Sequence, residues 1–348
     1  MKPLFMWAGG KKKLLKKYEP HLPDNFESYH EPFFGGGAMF VWAYEKNPNA
    51  NFYINDINKH IIGIYKAVRD DVETFCAHLD ELQREYLELP GPKEQGGETN
   101  KTLQKKYARP DKGRGRRDWE SIYREQKSRR HYYFKVRDEY AWDHKKLTPV
   151  NEAAMLYFLM KTGFNGVWQL NKNTNGRFGT PCGLMKHTDK VYDKENVMEW
   201  HRALQNCEIT SGDYKQTLRD VGPGSYIFLD PPYRGGFADY GTEKDDNFQQ
   251  EVVNYLNAAA ARKAYCMLSN RDMGDGFFED RKGNNQIEYF DVTYTVGRRK
   301  KVGVDENGKD IFEAVKAKEI LMIGLDKESQ TCYINNTNKL GVLNGNWI

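Results

Sequence analysis

With 348 residues, 39% of them hydrophobic, the chain is long enough for one large α/β domain with a smaller insert, or for two domains. A formal net charge of +4 excludes a global nucleic-acid signal, so basic segments have to be weighed one by one. Five cysteines, odd in number and without a CxxC pair, argue against a disulfide framework and a zinc ribbon, and residues 1–17 hold no apolar run long enough for a signal peptide or membrane span.

A soluble protein in a reducing, cytoplasmic compartment is therefore expected. Short apolar runs predict strands over 29–34, 51–54, 207–210, 225–229, 264–268, 289–296 and 319–325. Helix-length segments separate many of them, which points to an α/β sheet with helices on its faces. Apolar residues at 61, 65, 68, 72, 75, 79, 82, 86 and 89 keep helical spacing and predict two packed helices broken near Asp70-Asp71. Residues 91–127 are rich in Gly, Lys and Arg and predict a mobile basic insertion, followed by a buried helix over 152–161. The segment 326–348 is a polar, Asn-rich tail.

Glu31-Pro32-Phe33-Phe34-Gly35-Gly36-Gly37 follows the first strand, and 38–45 then reads as a helix. Glycines at a strand-to-helix turn let a ligand approach the backbone closely. Asp56 closes the next strand about 20 residues on, the separation at which an acidic side chain meets ribose hydroxyls. The spacing is not GxGxxG, so a nicotinamide oxidoreductase is disfavoured, while another adenosine compound remains open.

Asp230-Pro231-Pro232-Tyr233 stands immediately after the strand 225–229, at the edge where open α/β sheets bind ligands. Two consecutive prolines fix the backbone and remove two N–H donors, so carbonyls are held out as acceptors. Asp230 adds a carboxylate and Tyr233 an aromatic face. An exocyclic amine on a base needs this set, because its lone pair is conjugated into the ring. Accepting hydrogen bonds from both N–H groups favours a tetrahedral nitrogen that is nucleophilic, and an aromatic ring can stack on the base.

Residues 167–178 predict a β-hairpin around Asn175-Gly176, with Gln169, Asn171 and Arg177 as alternating polar side chains. A two-stranded ribbon fits the major groove and can read base edges. Lysines 11–13, 16 and 17, the run Arg298-Arg299-Lys300-Lys301 and the basic insertion are candidates for phosphate neutralisation.

In this order the motifs resemble the Dam-type family of DNA adenine methyltransferases. Trp7-Ala8-Gly9-Gly10-Lys11 is similar to its N-terminal cofactor motif, 31–37 to its glycine motif and Asn55-Asp56-Ile57-Asn58 to its acidic motif. Gly163-Phe164-Asn165-Gly166 and Phe178-Gly179-Thr180-Pro181-Cys182-Gly183 resemble the ends of its DNA-reading hairpin. Asp230–Tyr233 resembles its catalytic motif and Leu268-Ser269-Asn270 a later strand end. The resemblance covers roughly residues 4–325 and leaves 91–127 without a counterpart.

The resemblance implies a Rossmann-like methyltransferase mixed sheet with helices on both faces, plus a smaller helical and β-hairpin target-recognition domain. It divides the chain into a catalytic domain of 1–56 and 190–325, a recognition domain of 57–189 and a tail of 326–348. It implies transfer of a methyl group from S-adenosylmethionine to the N6 amino group of adenine in a specific sequence of double-stranded DNA, leaving S-adenosylhomocysteine. Asp230, Pro231, Pro232 and Tyr233 would be catalytic. Trp7, Lys11, Phe33, Gly35, Gly37, Asp56, Asp213, Tyr214 and Asp230 would contact the cofactor. Asn165, Gly166, Trp168, Gln169, Asn171, Arg177 and Pro181 would contact DNA. The family uses no metal and no covalent enzyme intermediate, and neither a membrane nor an obligate protein partner is expected. Members acting at GATC usually carry Arg where this chain has Gln169, and some carry Lys where it has Met6, so the target word stays open. The alternatives are a catalytically silent DNA-binding protein on the same fold, and an amino-methyltransferase acting on RNA or cytosine.

Overall fold

The computed structural model describes residues 1–7, 11, 14–90, 102, 105–106, 115–184, 189–235, 245–294, 300–304, 310–313 and 315–324. The strands are β1 (Ser28–Glu31), β2 (Asn51–Asp56), β3 (Cys207–Ser211), β4 (Ser225–Leu229), β5 (Tyr265–Asp272), β6 (Gln286–Tyr294), β7 (Lys300–Val304), β8 (Asp310–Glu313) and β9 (Val315–Gly324). The principal helices are α1 (Leu15–Tyr18), α2 (Ala38–Lys46), α3 (Lys59–Asp70), α4 (Val72–Glu88), α5 (Trp119–Glu125), α6 (Arg129–Trp142), α7 (Pro149–Thr162), α8 (Lys194–Ala203) and α9 (Asp246–Ala261).

Seven strands form one sheet in the order β3-β2-β1-β4-β5-β9-β6, and β7 and β8 form a separate pair. Strand β1 runs parallel to β2 and β4, and β4 parallel to β5, whereas β9 is antiparallel to both of its neighbours. This is a Rossmann-like α/β sheet with one antiparallel strand inserted near an edge. The order reverses between β1 and β4, and that reversal is where such sheets bind ligands. Strand β1 stops at Glu31, three residues before the expected end, because Pro32 has no N–H for the ladder.

The chain divides into two compact units. The first comprises residues 1–10, 35–41 and 58–209, and the second residues 11–34, 42–57 and 210–348. In the second unit, all five residues of β4 are buried, as a continuously apolar central strand requires. Side chains alternate between its faces. Ile227 and Leu229 join Leu256 and Ala259 of α9, Cys266 and Leu268 of β5, and Ile320 and Met322 of β9 in one apolar cluster. Tyr226 points the other way, to Tyr29 (ring centroids 5.4 Å), Phe26 (5.8 Å) and Trp42 of α2 (6.0 Å).

The first unit is built on helices. The expected break at Asp70-Asp71 is a cap: Asp71 ends α3, and its carboxylate accepts the Thr74 N–H at 3.1 Å to begin α4. Helix α7 has Pro149 in its first turn and the Thr148 hydroxyl as its cap. It is buried on every side, with α3, α4 and α6 packed against it. Trp200 of α8 is fully buried, stacked on Phe40 at 5.1 Å, with its indole N–H donated to the Lys2 carbonyl at 2.6 Å. No described helix is long and apolar enough to cross a membrane.

Trp200→Ala removes both the stack and the hydrogen bond. It is expected to lower stability by about 3–5 kcal/mol, read as a drop in the denaturant midpoint at unchanged slope.

Candidate functional site

In the second unit the chain leaves β4 at Leu229 and enters the Asp230–Tyr233 turn. The turn is fixed from below by a relay of buried polar groups. The Gln249 side chain, fully buried on α9, donates to the Pro232 carbonyl at 2.8 Å. Its own oxygen accepts from the buried Asn270 amide at 2.8 Å, and Asn270 Oδ1 accepts the Arg234 N–H at 3.2 Å. The turn is thus tied to both α9 and the end of β5. Arg234 adds a second tie through its guanidinium, which pairs with Asp246 and Asp275 and lies 4.1 Å from the Phe277 ring centroid.

Asp230 supplies the carboxylate of this turn. Lys11 Nζ lies 2.7 Å from Asp230 Oδ1 and 4.7 Å from the centroid of the Tyr233 ring. The lysine side chain is nearly buried, while that of Asp230 keeps 23% of its surface, enough for a ligand to reach it. Dense surroundings push the Asp230 carboxyl above the usual carboxylate range, the adjacent Lys11 opposes this, and Glu319 reinforces it. Tyr233 Oη is 2.6 Å from Ser269 Oγ and donates to Glu319 Oε2 at 3.2 Å, and Ser269 Oγ also meets the Tyr18 hydroxyl at 2.8 Å. Burial holds the Tyr233 phenol well above its ordinary pKa, so it stays neutral.

The ends of β1, β2 and β3 are joined by Asn55, which is fully buried. Its amide donates to the Pro32 carbonyl (3.1 Å) and the Gly212 carbonyl (3.0 Å), and its oxygen accepts from Thr210 Oγ1 (2.9 Å). These bonds set Phe33 against Tyr214, with ring centroids 4.8 Å apart and Phe248 and Tyr255 behind. The buried Tyr214 hydroxyl has no hydrogen-bond partner among the described residues. Asp56 is half-buried at the end of β2, its carbonyl accepting from Gly212 N–H (3.2 Å) and Ser211 Oγ (3.0 Å). Asp213 is exposed, and its carboxylate caps the short helical turn that begins at Tyr214. Of the predicted cofactor residues, the second unit therefore brings Lys11 to Asp230 and Phe33 to Tyr214.

Trp7, Gly35 and Gly37 belong to the first unit. A Cβ on Gly35, which has φ +49°, would lie 2.7 Å from Trp7 Nε1, so glycine is required for the indole to cover the loop. The segment of this unit expected to read DNA differs from the predicted ribbon. Among the described residues its pairing reduces to two bridges, Gly163↔Cys182 and Leu170↔Phe178. Asn175 (φ 55°) and Gly176 (φ 70°) do form a tight turn closed by Arg177 N–H to the Thr174 carbonyl at 2.9 Å. Asn171 and Thr174 then spend side-chain hydrogen bonds on the local backbone, and a helical turn at Lys172–Thr174 replaces a strand.

Within this segment Asn165, Gln169 and Pro181 are exposed, and Asn171 is half-buried. Gly166 is buried with φ +61°, where a Cβ would meet Met6 at 2.7 Å. Trp168 is buried between Trp7 (6.1 Å) and Phe178 (5.4 Å), and Arg177 is paired with Glu152. Arg137 donates to the Gly179 and Thr180 carbonyls, each at 2.9 Å, and anchors the returning limb.

The basic candidates divide similarly. Arg116, within the insertion, is bound to Asp138 (2.8 Å) and Asp143 (2.6 Å), and burial pushes the Asp138 carboxyl up to about 6. Lys17 donates to the Asp291 carbonyl at 2.6 Å. Lys12, Lys13, Arg298, Arg299, most of 91–114 and the tail 326–348 lie outside the described residues. Gln249, Arg137 and Glu319 were not singled out from sequence. Glu319 had a visible mark, a carboxylate opening the apolar run Ile320-Leu321-Met322-Ile323. No group of three or more His, Cys, Asp or Glu is placed to hold a metal among the described residues.

Residues 7–300 match the family described as D12 class N6 adenine-specific DNA methyltransferase. A type II methyltransferase of Methanocaldococcus jannaschii is 29% identical over 297 residues, spanning 82% of this chain and 89% of that protein. A type II methyltransferase of Lactococcus lactis subsp. cremoris is 27% identical over 284 residues, with 78% and 81% covered. A DNA adenine methylase of Haemophilus influenzae is 22% identical over 324 residues, with 92% and 93% covered.

The relay beneath the turn can be tested alone. Gln249→Leu strands the Pro232 carbonyl and the Asn270 amide without partners, and thermal unfolding should report a loss of about 1–3 kcal/mol.

Proposed function

Because the chain belongs to the D12 class N6 adenine-specific DNA methyltransferase family, we propose that its Asp230–Tyr233 turn grips the amino group of an adenine flipped out of duplex DNA. The observation that carries this reading is the fixed set of oxygen acceptors at the end of β4. Gln249 takes the Pro232 carbonyl, which leaves the Pro231 carbonyl and the Asp230 carboxylate as the turn's acceptors for an amine. Two acceptors match the two N–H bonds of the amino group. Engaging both turns the nitrogen lone pair out of the ring plane and makes it nucleophilic. Tyr233 offers its ring to the base, held in place by Ser269 and Glu319.

S-adenosylmethionine supplies an electrophilic methyl group on a sulfonium. The residues of the second unit suit it: Phe33 and Tyr214 give an aromatic wall with a buried hydroxyl that has no partner among the described residues, and Asp56 gives a carboxylate for ribose hydroxyls. Asp213 places Tyr214 by capping its helical turn; the family's cofactor motifs also name Trp7, Gly35 and Gly37, which belong to the first unit. The adenine nitrogen forms its new bond to carbon as the carbon–sulfur bond breaks. The nitrogen's proton leaves afterwards, so no strong general base is needed, and the products are N6-methyladenine and S-adenosylhomocysteine. On the DNA side, exposed Gln169 complements adenine through its amide, while Asn165, Asn171 and Pro181 line the same loop.

Purified protein should transfer labelled methyl groups to duplex DNA, with N6-methyladenine recovered after nuclease digestion. Asp230→Ala should reduce the rate by at least about a hundredfold; an unaffected rate would end this reading. Lys11→Met should raise the Asp230 pKa further. The acid limb of kcat/KM then moves to higher pH by about one unit or more, and a profile that stays put would show that Lys11 does not hold the carboxylate ionised.

A further inference from the structure

Arg177 is the one guanidinium in the predicted DNA-reading set, yet its side chain is only 13% exposed. It is turned toward the helices of its own unit. Its Nη2 pairs with Glu152 in the first turns of α7, and its Cζ stands 4.4 Å from the centroid of the Tyr140 ring on α6. Glu152 lies 3.8 Å from His60 Nδ1 at the start of α3, and that nitrogen meets the Tyr140 hydroxyl at 3.1 Å. Arg177, Glu152, His60 and Tyr140 together connect the loop to three helices. The backbone of Arg177 is engaged as well: its carbonyl accepts from Asn171 N–H (3.2 Å) and Thr174 Oγ1 (2.9 Å).

We propose that Arg177 is a positioning residue, not a reader of bases: clamped by Glu152 and Tyr140, it holds the 167–181 loop in the shape that leaves Gln169 free for DNA. Three physical arguments support it. A charge-assisted pair in a half-buried setting is stronger than one on the surface, and an arginine over an aromatic face gains further. The loop holds a single ladder bridge, Leu170↔Phe178, with Gly163↔Cys182 at its base, so its shape has to come from anchors such as these. Withdrawing Arg177 to meet DNA would leave Glu152 without its guanidinium in a half-buried place, which is costly.

The inference rests on the reading of this loop as the DNA-contacting element, and its test uses the full chain. Arg177→Met and Glu152→Gln are compared with wild type for methyl transfer, for S-adenosylmethionine affinity and for duplex binding at several salt concentrations. Each substitution is expected to raise KM for DNA about tenfold while leaving kcat and cofactor affinity within about twofold, and the double variant should be no worse than Arg177→Met alone. Relative rates on duplexes carrying single base changes should keep their wild-type pattern, and Arg177→Lys should recover part of the loss. Three results would overturn the proposal. Tighter DNA binding by Glu152→Gln would mean that the carboxylate merely masks a DNA-binding arginine. Relaxed preference at one base position in Arg177→Met would make it a reader. A salt slope reduced by about one would make it a phosphate contact. Cofactor affinity monitors folding of each variant, and because Glu152→Gln is isosteric its DNA affinity decides the case even if Arg177→Met misfolds. Should wild type bind DNA but transfer no methyl group, the reading of the Asp230 turn fails while the binding arms still judge Arg177.

Discussion

The second unit depends on keeping one turn rigid. Asp230 to Tyr233 bears two prolines, which stiffen the chain but cannot donate hydrogen bonds, so the turn is not tied down by N–H groups at those positions. The constraint is supplied from outside, by Gln249 and Asn270, both fully buried and both using oxygen and nitrogen ends of their amides. A buried amide half satisfied would be a liability; satisfied at both ends it specifies a single geometry. The Pro231 carbonyl and the Asp230 carboxylate are therefore held at fixed positions, the preorganisation that the proposed reaction asks of them.

Lys11 and Glu319 oppose each other around this turn. The ammonium 2.7 Å from Asp230 favours the ionised carboxylate, while burial and the nearby Glu319 favour the neutral one. An ionised carboxylate is the stronger hydrogen-bond acceptor, and one bonded to lysine through a single oxygen still has acceptor positions left. The Asp230 side chain keeps part of its surface open, so the balance leaves capacity for a second partner.

Much of this was legible in the sequence because local and global signals agreed. The strand 225–229 appears with the expected bounds, since its continuous apolar run is bracketed by Gly-Pro-Gly and by prolines. The division between α3 and α4 followed from Asp71, whose carboxylate is a helix cap. Phe33 and Tyr214 meet, as do Lys11 and Asp230. The loop 167–178 was harder. Its Asn-Gly turn was readable, but Asn171 and Thr174 satisfy nearby backbone groups with their side chains, and that competition is invisible to a period-two pattern. Likewise Gln249 lies on an amphipathic helix like any other glutamine; only the fold aims it at Pro232.

The antiparallel strand β9 has a consequence for how this sheet tolerates change. Parallel strands deliver residues to the ligand edge from their carboxyl ends, so each is followed by a loop that must itself respect the pocket. Strand β9 arrives from the opposite direction, and Glu319, paired with Arg271 near the end of β5, lies in its first half. The acceptor for Tyr233 is thus set by the register of a ladder rather than by a loop conformation. The position of that carboxylate therefore follows from the β5–β9 register and not from the length of the β7–β8 excursion before it.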